Sequence, residues 1–308
     1  MKLVNVAAVQ FTKESVRGRG DAAEIVLADT RATLDSLRGY GLDLVVLSEG
    51  VGAVGQTSAT AESIDEPGPF LRLYREWAAA EKCHVAGSVL LREDGRLYNS
   101  IAFNGPDGGL LGAYRKSNLT DGELEAGLTP GNGAVMVDTA IGRLGGVICF
   151  DLNFEWLRQQ YRALRPDILV FSSMFHGGLL QQVWAYECRA FFIGAWQYFG
   201  CTVRDPFGRP MKATDCYSLV ARATINLDRV MVHLDHNREK FAAIEKKYLG
   251  RIVIDVPHEI GSALICSTSD DVTAMDIVKE FDLQLLDDYL AQSLAANDQM
   301  RPPRKESR

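Results

Sequence analysis

Three residues far apart in this chain carry side chains that can react: the thiol of Cys149, the carboxylate of Glu49 and the amine of Lys116. Each follows an apolar run. Cys149 ends Leu144-Gly145-Gly146-Val147-Ile148 and precedes the polar Asp151 and Asn153. Glu49 follows Asp43-Leu44-Val45-Val46-Leu47-Ser48, and Lys116 comes just after Leu110–Tyr114. Short apolar runs bounded by polar residues read as buried strands, so all three groups stand at strand ends. A cysteine where a buried strand meets a loop is rigidly held and can still reach a pocket. Taken alone, a cysteine is more often a small buried hydrophobe. A thiol, a carboxylate and an ammonium converging on one rim could perform nucleophilic catalysis; the spacing alone does not show that they converge.

The remaining elements must position that rim. Leu3–Gln10 reads as a buried first strand rather than a signal peptide. Asp21–Leu37 is an amphipathic helix with Ala23, Leu27, Leu34 and Leu37 on one stripe and Gly39 as its stop. Leu44–Leu47 is a strand and Phe70–Lys82 a helix. His84–Leu91, Leu97–Phe103 and Leu110–Tyr114 are strands joined at Asp94-Gly95 and at Pro106-Asp107-Gly108-Gly109. Val135–Asp138 and Leu144–Cys149 form another strand pair. Phe154–Leu164 is a helix, Ile168–Phe171 a strand and Leu179–Phe192 a helix. Gln197–Val203 and Ser218–Asp228 are strands joined across Asp205-Pro206-Phe207-Gly208. Helices alternate with strand pairs rather than with single strands, which predicts two sheets with helices outside them. Beyond about residue 230 the composition changes. Asn237–Tyr248 is a charged helix, Ser262–Ile277 and Glu280–Ala295 hold further elements, and Asp298–Arg308 reads as a disordered tail.

Composition limits the function. The 308 residues are 47% hydrophobic and 24% charged, the balance of a globular protein. The net charge is −7, with no basic stripe, which argues against nucleic acid as a partner. Six cysteines, none in a Cys-x-x-Cys pair, predict reduced thiols in a cytoplasm. Ile168–Tyr186 lacks Lys, Arg, Asp and Glu over a span-like length. Its Ser172, Ser173, His176, Gln181 and Gln182 would be too costly in lipid, so no membrane partner is expected.

Several blocks occur in order along the chain. They are Ala7-Ala8-Val9-Gln10, the run ending in Glu49, Tyr98-Asn99-Ser100, Pro106-Asp107-Gly108, Tyr114-Arg115-Lys116 and Thr129-Pro130-Gly131. Gly146-Val147-Ile148-Cys149-Phe150-Asp151 follows, then Trp184, Arg189, Ala190 and Asp205-Pro206-Phe207-Gly208. In this the chain resembles the nitrilase (carbon–nitrogen hydrolase) superfamily over roughly residues 3 to 230. The resemblance implies an α/β fold, a four-layer α-β-β-α sandwich that forms a homodimer or a higher homo-oligomer. It assigns residues 1–260 to the hydrolase domain and 261–308 to a C-terminal extension that contacts the dimer partner.

The resemblance also implies roles. Cys149 is the nucleophile, Glu49 the general base and acid, and Lys116 the stabiliser of the tetrahedral intermediate, together with a backbone N–H, that of Phe150. A second glutamate falls between Lys116 and Cys149; Glu125 fits best and Glu123 is the fallback. The implied reaction is hydrolysis of a small-molecule amide through a thioester, with no metal and no organic cofactor. A catalytically silent binding relative, or transfer to an acceptor other than water, would share these residues. Three departures narrow the substrate. Asn118 stands where many members carry His. Asn153-Phe154-Glu155-Trp156 replaces Arg-Phe-Pro-Glu, which argues against N-carbamoyl amino acids. Cys149-Phe150-Asp151 replaces the Cys-Trp-Glu of nitrilases, which favours an amide over a nitrile. Asn153 and His176 are further candidates for the substrate pocket.

Other signals carry less. Gly50-Val51-Gly52-Ala53-Val54-Gly55 fits a dinucleotide fingerprint, but no clean helix follows and no acid-tipped second strand falls at the right distance. These glycines suit a loop that passes close to the substrate. His233 and His236 lack a further metal ligand nearby. A Cys149–His176 dyad would leave Glu49 and Lys116 without a use.

Overall fold

The computed structural model describes residues 1–11, 16 and 18–302. It contains two compact units, Val4–Ile225, and Met1–Leu3 with Asn226–Arg308. The larger unit runs β1 (Leu3–Val9), α1 (Ala22–Asp35), β2 (Leu44–Leu47), α2 (Pro69–Glu81), β3 (His84–Glu93), β4 (Arg96–Asn104) and β5 (Leu110–Arg115). It continues through α3 (Asp121–Glu125), β6 (Met136–Thr139), β7 (Gly142–Ile148), α4 (Glu155–Leu164), β8 (Ile168–Ser172) and α5 (Gly178–Cys188). It ends with β9 (Phe191–Ala195), β10 (Thr202–Arg204), β11 (Pro210–Ala213) and β12 (Val220–Asn226).

Two six-stranded sheets result, ordered β12-β1-β2-β3-β4-β5 and β11-β10-β9-β8-β7-β6. In each, parallel strands sit at the centre (β1-β2-β3 and β7-β8-β9) and antiparallel partners flank them. Every residue of β2 and β8 is buried, as expected of strands covered on both faces. The sheets face each other, with α1 and α2 outside the first and α4 and α5 outside the second. This is the helix–sheet–sheet–helix sandwich expected from the sequence.

Local chemistry fixes these layers. On α1, Ala22, Val26, Thr30 and Leu34 recur every four residues and are buried. Helix α2 buries Phe70, Leu71, Tyr74 and Trp77, each worth roughly 1.5–3 kcal/mol by area. The buried Glu62 carboxylate accepts the Phe70 and Leu71 N–H groups at 2.7 and 2.8 Å, and so caps that helix. Two hydroxyls tie the sheets together: Ser172 Oγ donates to Leu47 O at 2.7 Å and Ser48 Oγ to Trp196 O at 3.0 Å. At Gly146 the sheets approach closely, since a Cβ there would lie 2.7 Å from Tyr114 Cβ.

Two expectations need correction here. The helix expected over Leu179–Phe192 stops at Cys188. Arg189 takes a left-handed turn at φ 56°, and the apolar residues after it form the buried strand β9. The turn at Asp205–Gly208 joins β10 to β11, not to the strand near Ser218; β12 crosses to the other sheet beside β1.

The smaller unit holds β13 (Arg229–His233), α6 (Arg238–Tyr248), β14 (Ile252–Asp255), β15 (Ser262–Ser267), α7 (Ala274–Glu280) and α8 (Leu286–Met300). Its antiparallel sheet is ordered β13-β15-β14 and packs Val232, Ile265, Ile244, Phe241 and Ile277 into a second core. A boundary at residue 260 would separate β14 from its partner β15, so the structural division falls instead at Ile225/Asn226. Helix α8 continues to Met300, past the expected start of the tail at 298; residues 303–308 of that tail lie outside the described residues. Among the described residues no helix is long and apolar enough to cross a membrane.

Candidate active site

The three strand ends meet. Glu49 follows β2 by two residues, Lys116 directly follows β5, and Cys149 directly follows β7. All three line one cavity of about 460 Å³. Lys116 Nζ donates to Glu49 Oε1 at 3.0 Å, and both side chains are almost fully buried. The Lys116 backbone is held on both sides: its N–H donates to Asn99 O and its carbonyl accepts from Gly131 N–H, each at 2.8 Å. Cys149 opens a one-turn 3-10 helix, Cys149–Asn153, at φ 47°, a left-handed conformation rare outside glycine. Such backbone costs of order 1–3 kcal/mol and persists where its surroundings over-determine it.

Asp151 supplies that determination. Its Oδ2 accepts the Ile148 N–H at 3.1 Å and the Tyr114 hydroxyl at 2.7 Å. Its Oδ1 accepts the Asn118 N–H at 2.8 Å and the Asn118 Nδ2 at 2.9 Å. One buried carboxylate therefore joins the turn carrying Cys149 to the segment carrying Lys116. Asn118, the residue that departs from the pattern the resemblance implies, is part of that clasp, and its Oδ1 accepts from Trp156 Nε1.

Glu123, not Glu125, is the carboxylate that meets Lys116. Lys116 Nζ donates to Glu123 Oε1 and Oε2 at 2.9 and 2.8 Å. Glu123 is placed by a capping box on α3: Thr120 Oγ1 accepts the Glu123 N–H, and Glu123 Oε2 accepts the Thr120 N–H at 2.9 Å. Glu125 lies one turn edge further along α3 and is exposed. The pattern Thr120-Asp121-Gly122-Glu123 was the sequence signal that separates them.

Asn99 and Met174 complete the shell. Asn99 Nδ2 donates to Glu49 Oε1 and Glu123 Oε1, both at 2.8 Å. Met174 N–H donates to Glu49 Oε2 at 2.8 Å. Asn99 stood in the recognised Tyr98-Asn99-Ser100 block without a role; nothing in the sequence pointed to Met174. The loop after Glu49 also reaches the cavity, through Gly50, Ala53, Val54 and Gln56. Gly52 lets it press on β3, because a Cβ there would fall 2.3 Å from Ser88 O.

Other expected residues sit elsewhere. Asn153 is exposed, does not line this cavity, and donates to Phe150 O at 2.9 Å within its own turn. His176 is also absent from the cavity wall; its Nδ1 accepts the Gly178 N–H at 3.0 Å and its ring stands edge-on to Trp196. Phe150 follows the thiol and packs edge-on against Phe154 at 5.2 Å.

The electrostatics set the resting state. Burial pushes the Cys149 thiol up to about 12; the Glu49 carboxylate adds to the rise, while Lys116 and the Met174 N–H oppose it. Burial works against the charged form of Lys116, but Glu49, Cys149 and Glu123 together hold its pKa above the ordinary lysine value. Burial likewise disfavours charge on Glu123, and its bonds to Lys116 outweigh this and lower it. The site thus rests as a neutral thiol beside the Lys116 ammonium and the Glu123 carboxylate.

Two facing sheets with helices outside and a cleft at the strand ends define the class of fold. The chain belongs to the carbon-nitrogen hydrolase family, whose model matches residues 5–231. It is 27% identical over 204 residues to a hydrolase of Schizosaccharomyces pombe, covering 57% of this chain and 63% of that protein. It is 31% identical over 150 residues to omega-amidase NIT2 of Danio rerio, covering 45% and 53%. The matched stretch is thus under two thirds of either relative's length. A solved CN-hydrolase superfamily structure from Xanthomonas campestris superposes with a TM-score of 0.63 at 23% identity, covering 80% of this chain and 97% of that one. That likeness is one of fold.

Proposed function

We propose that this protein hydrolyses a non-peptide amide bond through a thioester on Cys149. The observation that carries this reading is the Glu49 carboxylate, held by Lys116, Asn99 and Met174 in the wall of the cavity that the Cys149 thiol also lines. Glu49 takes the thiol proton as Sγ attacks the amide carbon, so the sulfur is activated only when an electrophile is present. The carbonyl oxygen gains negative charge beside the Lys116 ammonium and the Phe150 N–H. Collapse breaks the C–N bond, and Glu49 returns the proton to the departing ammonia or amine. Water then attacks the thioester as Glu49 takes its proton; the acid leaves and the proton returns to sulfur.

The family relation and the omega-amidase relative support amide over nitrile chemistry. The six cysteines, none of them in a disulfide among the described residues, suit a reducing compartment such as the cytoplasm. A homodimer remains the assembly this reading favours, as in the family it resembles. The test is a Cys149→Ala variant against Cys188→Ala, incubated with a panel of small amides. Ammonia release and an acyl adduct seen by intact-mass spectrometry should vanish only with Cys149→Ala. Equal activity in both variants overturns the assignment.

A further inference from the structure

Asn118 does not line the active-site cavity, yet it stands between two groups of opposite character. Trp156 Nε1, on α4, can only donate, and it donates to Asn118 Oδ1 at 3.2 Å. An ionised Asp151 can only accept, and its Oδ1 takes Asn118 Nδ2 at 2.9 Å and the Asn118 N–H at 2.8 Å. The donors therefore run one way, from indole to amide to carboxylate, and an asparagine side chain suits both ends. Aspartate at 118 would set acceptor against acceptor, and leucine would offer nothing to either side. Asn118 and Trp156 are two of the departures noted in the sequence, and they are in contact.

The charge on Asp151 matters to the turn that carries the sulfur. Its Oδ2 holds the Ile148 N–H, next to Cys149 at φ 47°, and the Tyr114 hydroxyl. Bonds to an ionised acceptor are roughly twice as strong as neutral ones, so protonation would weaken all four. It would also add an O–H that only Tyr114 can accept, since Ile148 and Asn118 offer donors alone.

Burial lifts the Asp151 carboxyl to about 6, while Tyr114, Asn118 and the Ile148 N–H pull it down. Taking away the Asn118 side-chain donor must raise it further. The titratable side chains that feel this charge are Tyr114 on β5 and Tyr161 on α4, and burial raises both phenols, so they stay neutral. Cys149, on the same turn, is a neutral thiol.

Within the proposed amide hydrolysis, on which this inference rests, we infer that Asn118 is a positioning residue: it keeps Asp151 ionised, and the turn carrying Cys149 holds its working shape only while Asp151 is ionised. The experiment follows kcat from pH 5 to 8 with the small amide that the wild type turns over fastest. Beside it runs the NMR resonance of the Trp156 indole N–H, assigned by its loss in Trp156→Phe. In the wild type both should change with one midpoint, near 6. In Asn118→Leu the kcat midpoint should rise by about one pH unit while KM stays within about twofold, because the residue acts from outside the cavity. Asn118→Asp should raise it at least as far, since two carboxylates would then share the site. Trp156→Phe, at an exposed side chain, frees the Asn118 amide to turn and should shift the midpoint the same way by less. An acid limb set by Glu49 alone would not move in these variants. An unchanged midpoint in the variants that fold, or an indole resonance that is flat from pH 5 to 7, overturns the inference and leaves amide hydrolysis intact. Ammonia release from no amide overturns the proposed function, and this inference with it.

Discussion

Glu49 Oε1 lies 3.0 Å from Lys116 Nζ, although the two residues come from different strands and both are sealed from water. A buried pair of this kind is poor evidence for stability, because desolvation offsets much of the attraction. Its geometry serves chemistry instead: the ammonium orients Glu49, while burial keeps the Cys149 thiol protonated.

That arrangement gives Glu49→Gln two opposite effects. Glu49 helps to raise the Cys149 pKa, so removing its charge should lower it and speed alkylation by iodoacetamide at pH 8. Amide turnover should fall by about 10²–10⁴ because the proton carrier is gone. Slower alkylation would show that the carboxylate does not face the thiol.

Asn99 shares one amide nitrogen between Glu49 and Glu123. Asn99→Ala removes hydrogen bonds to two charged groups, each worth about 1.5–3 kcal/mol. The expected loss in kcat is roughly tenfold to hundredfold, measured by steady-state ammonia release. A kcat within twofold of the parent would deny Asn99 a positioning role.

The two glutamates of α3 should part company. Glu123→Gln weakens the hold on Lys116 and should lower kcat at least about tenfold. Glu125→Gln, at an exposed position, should leave it within about twofold. Parallel kinetics on the two variants decide which carboxylate matters.

Asp151 links stability to pH. Burial raises its carboxyl to about 6, although Tyr114, Asn118 and the Ile148 N–H pull the other way. The folded value lies above the unfolded one, near 3.8, so the folded state holds the proton more tightly. Its contribution is fully present below the unfolded value and is lost as pH rises through about 6. The span is of order 2–3 kcal/mol. Thermal melts from pH 4 to 7 should show the wild type losing ground against Asp151→Asn over that window. Parallel curves would mean that Asp151 does not titrate there.

Part of this site was legible in the sequence because several reactive residues follow apolar runs and stand in blocks that resemble the nitrilase superfamily. The apolar runs placed Glu49, Lys116 and Cys149 at strand ends, the family resemblance gave them their roles, and the strand pairs predicted the two sheets. Other features depend on contacts distant in the chain. Asp151 and Asn118 matter through each other, across the gap between β5 and β7. Met174 contributes a backbone N–H, which no side-chain type announces. Helix α5 and strand β9 read as one element because an arginine in a left-handed turn, not glycine or proline, ends the helix. Glu123 was readable, but as a helix cap and not as a catalytic motif.

The reacting groups are divided between the sheets: Glu49, Asn99 and Lys116 issue from one, and Cys149 and Met174 from the other. Neither half alone contains both the Cys149 sulfur and the Glu49 carboxylate. During refolding, intermediates whose strands have formed but whose layers have not closed would display native circular dichroism and no turnover. Recovery of enzymatic rate therefore times the closure of the sandwich separately from the formation of its strands.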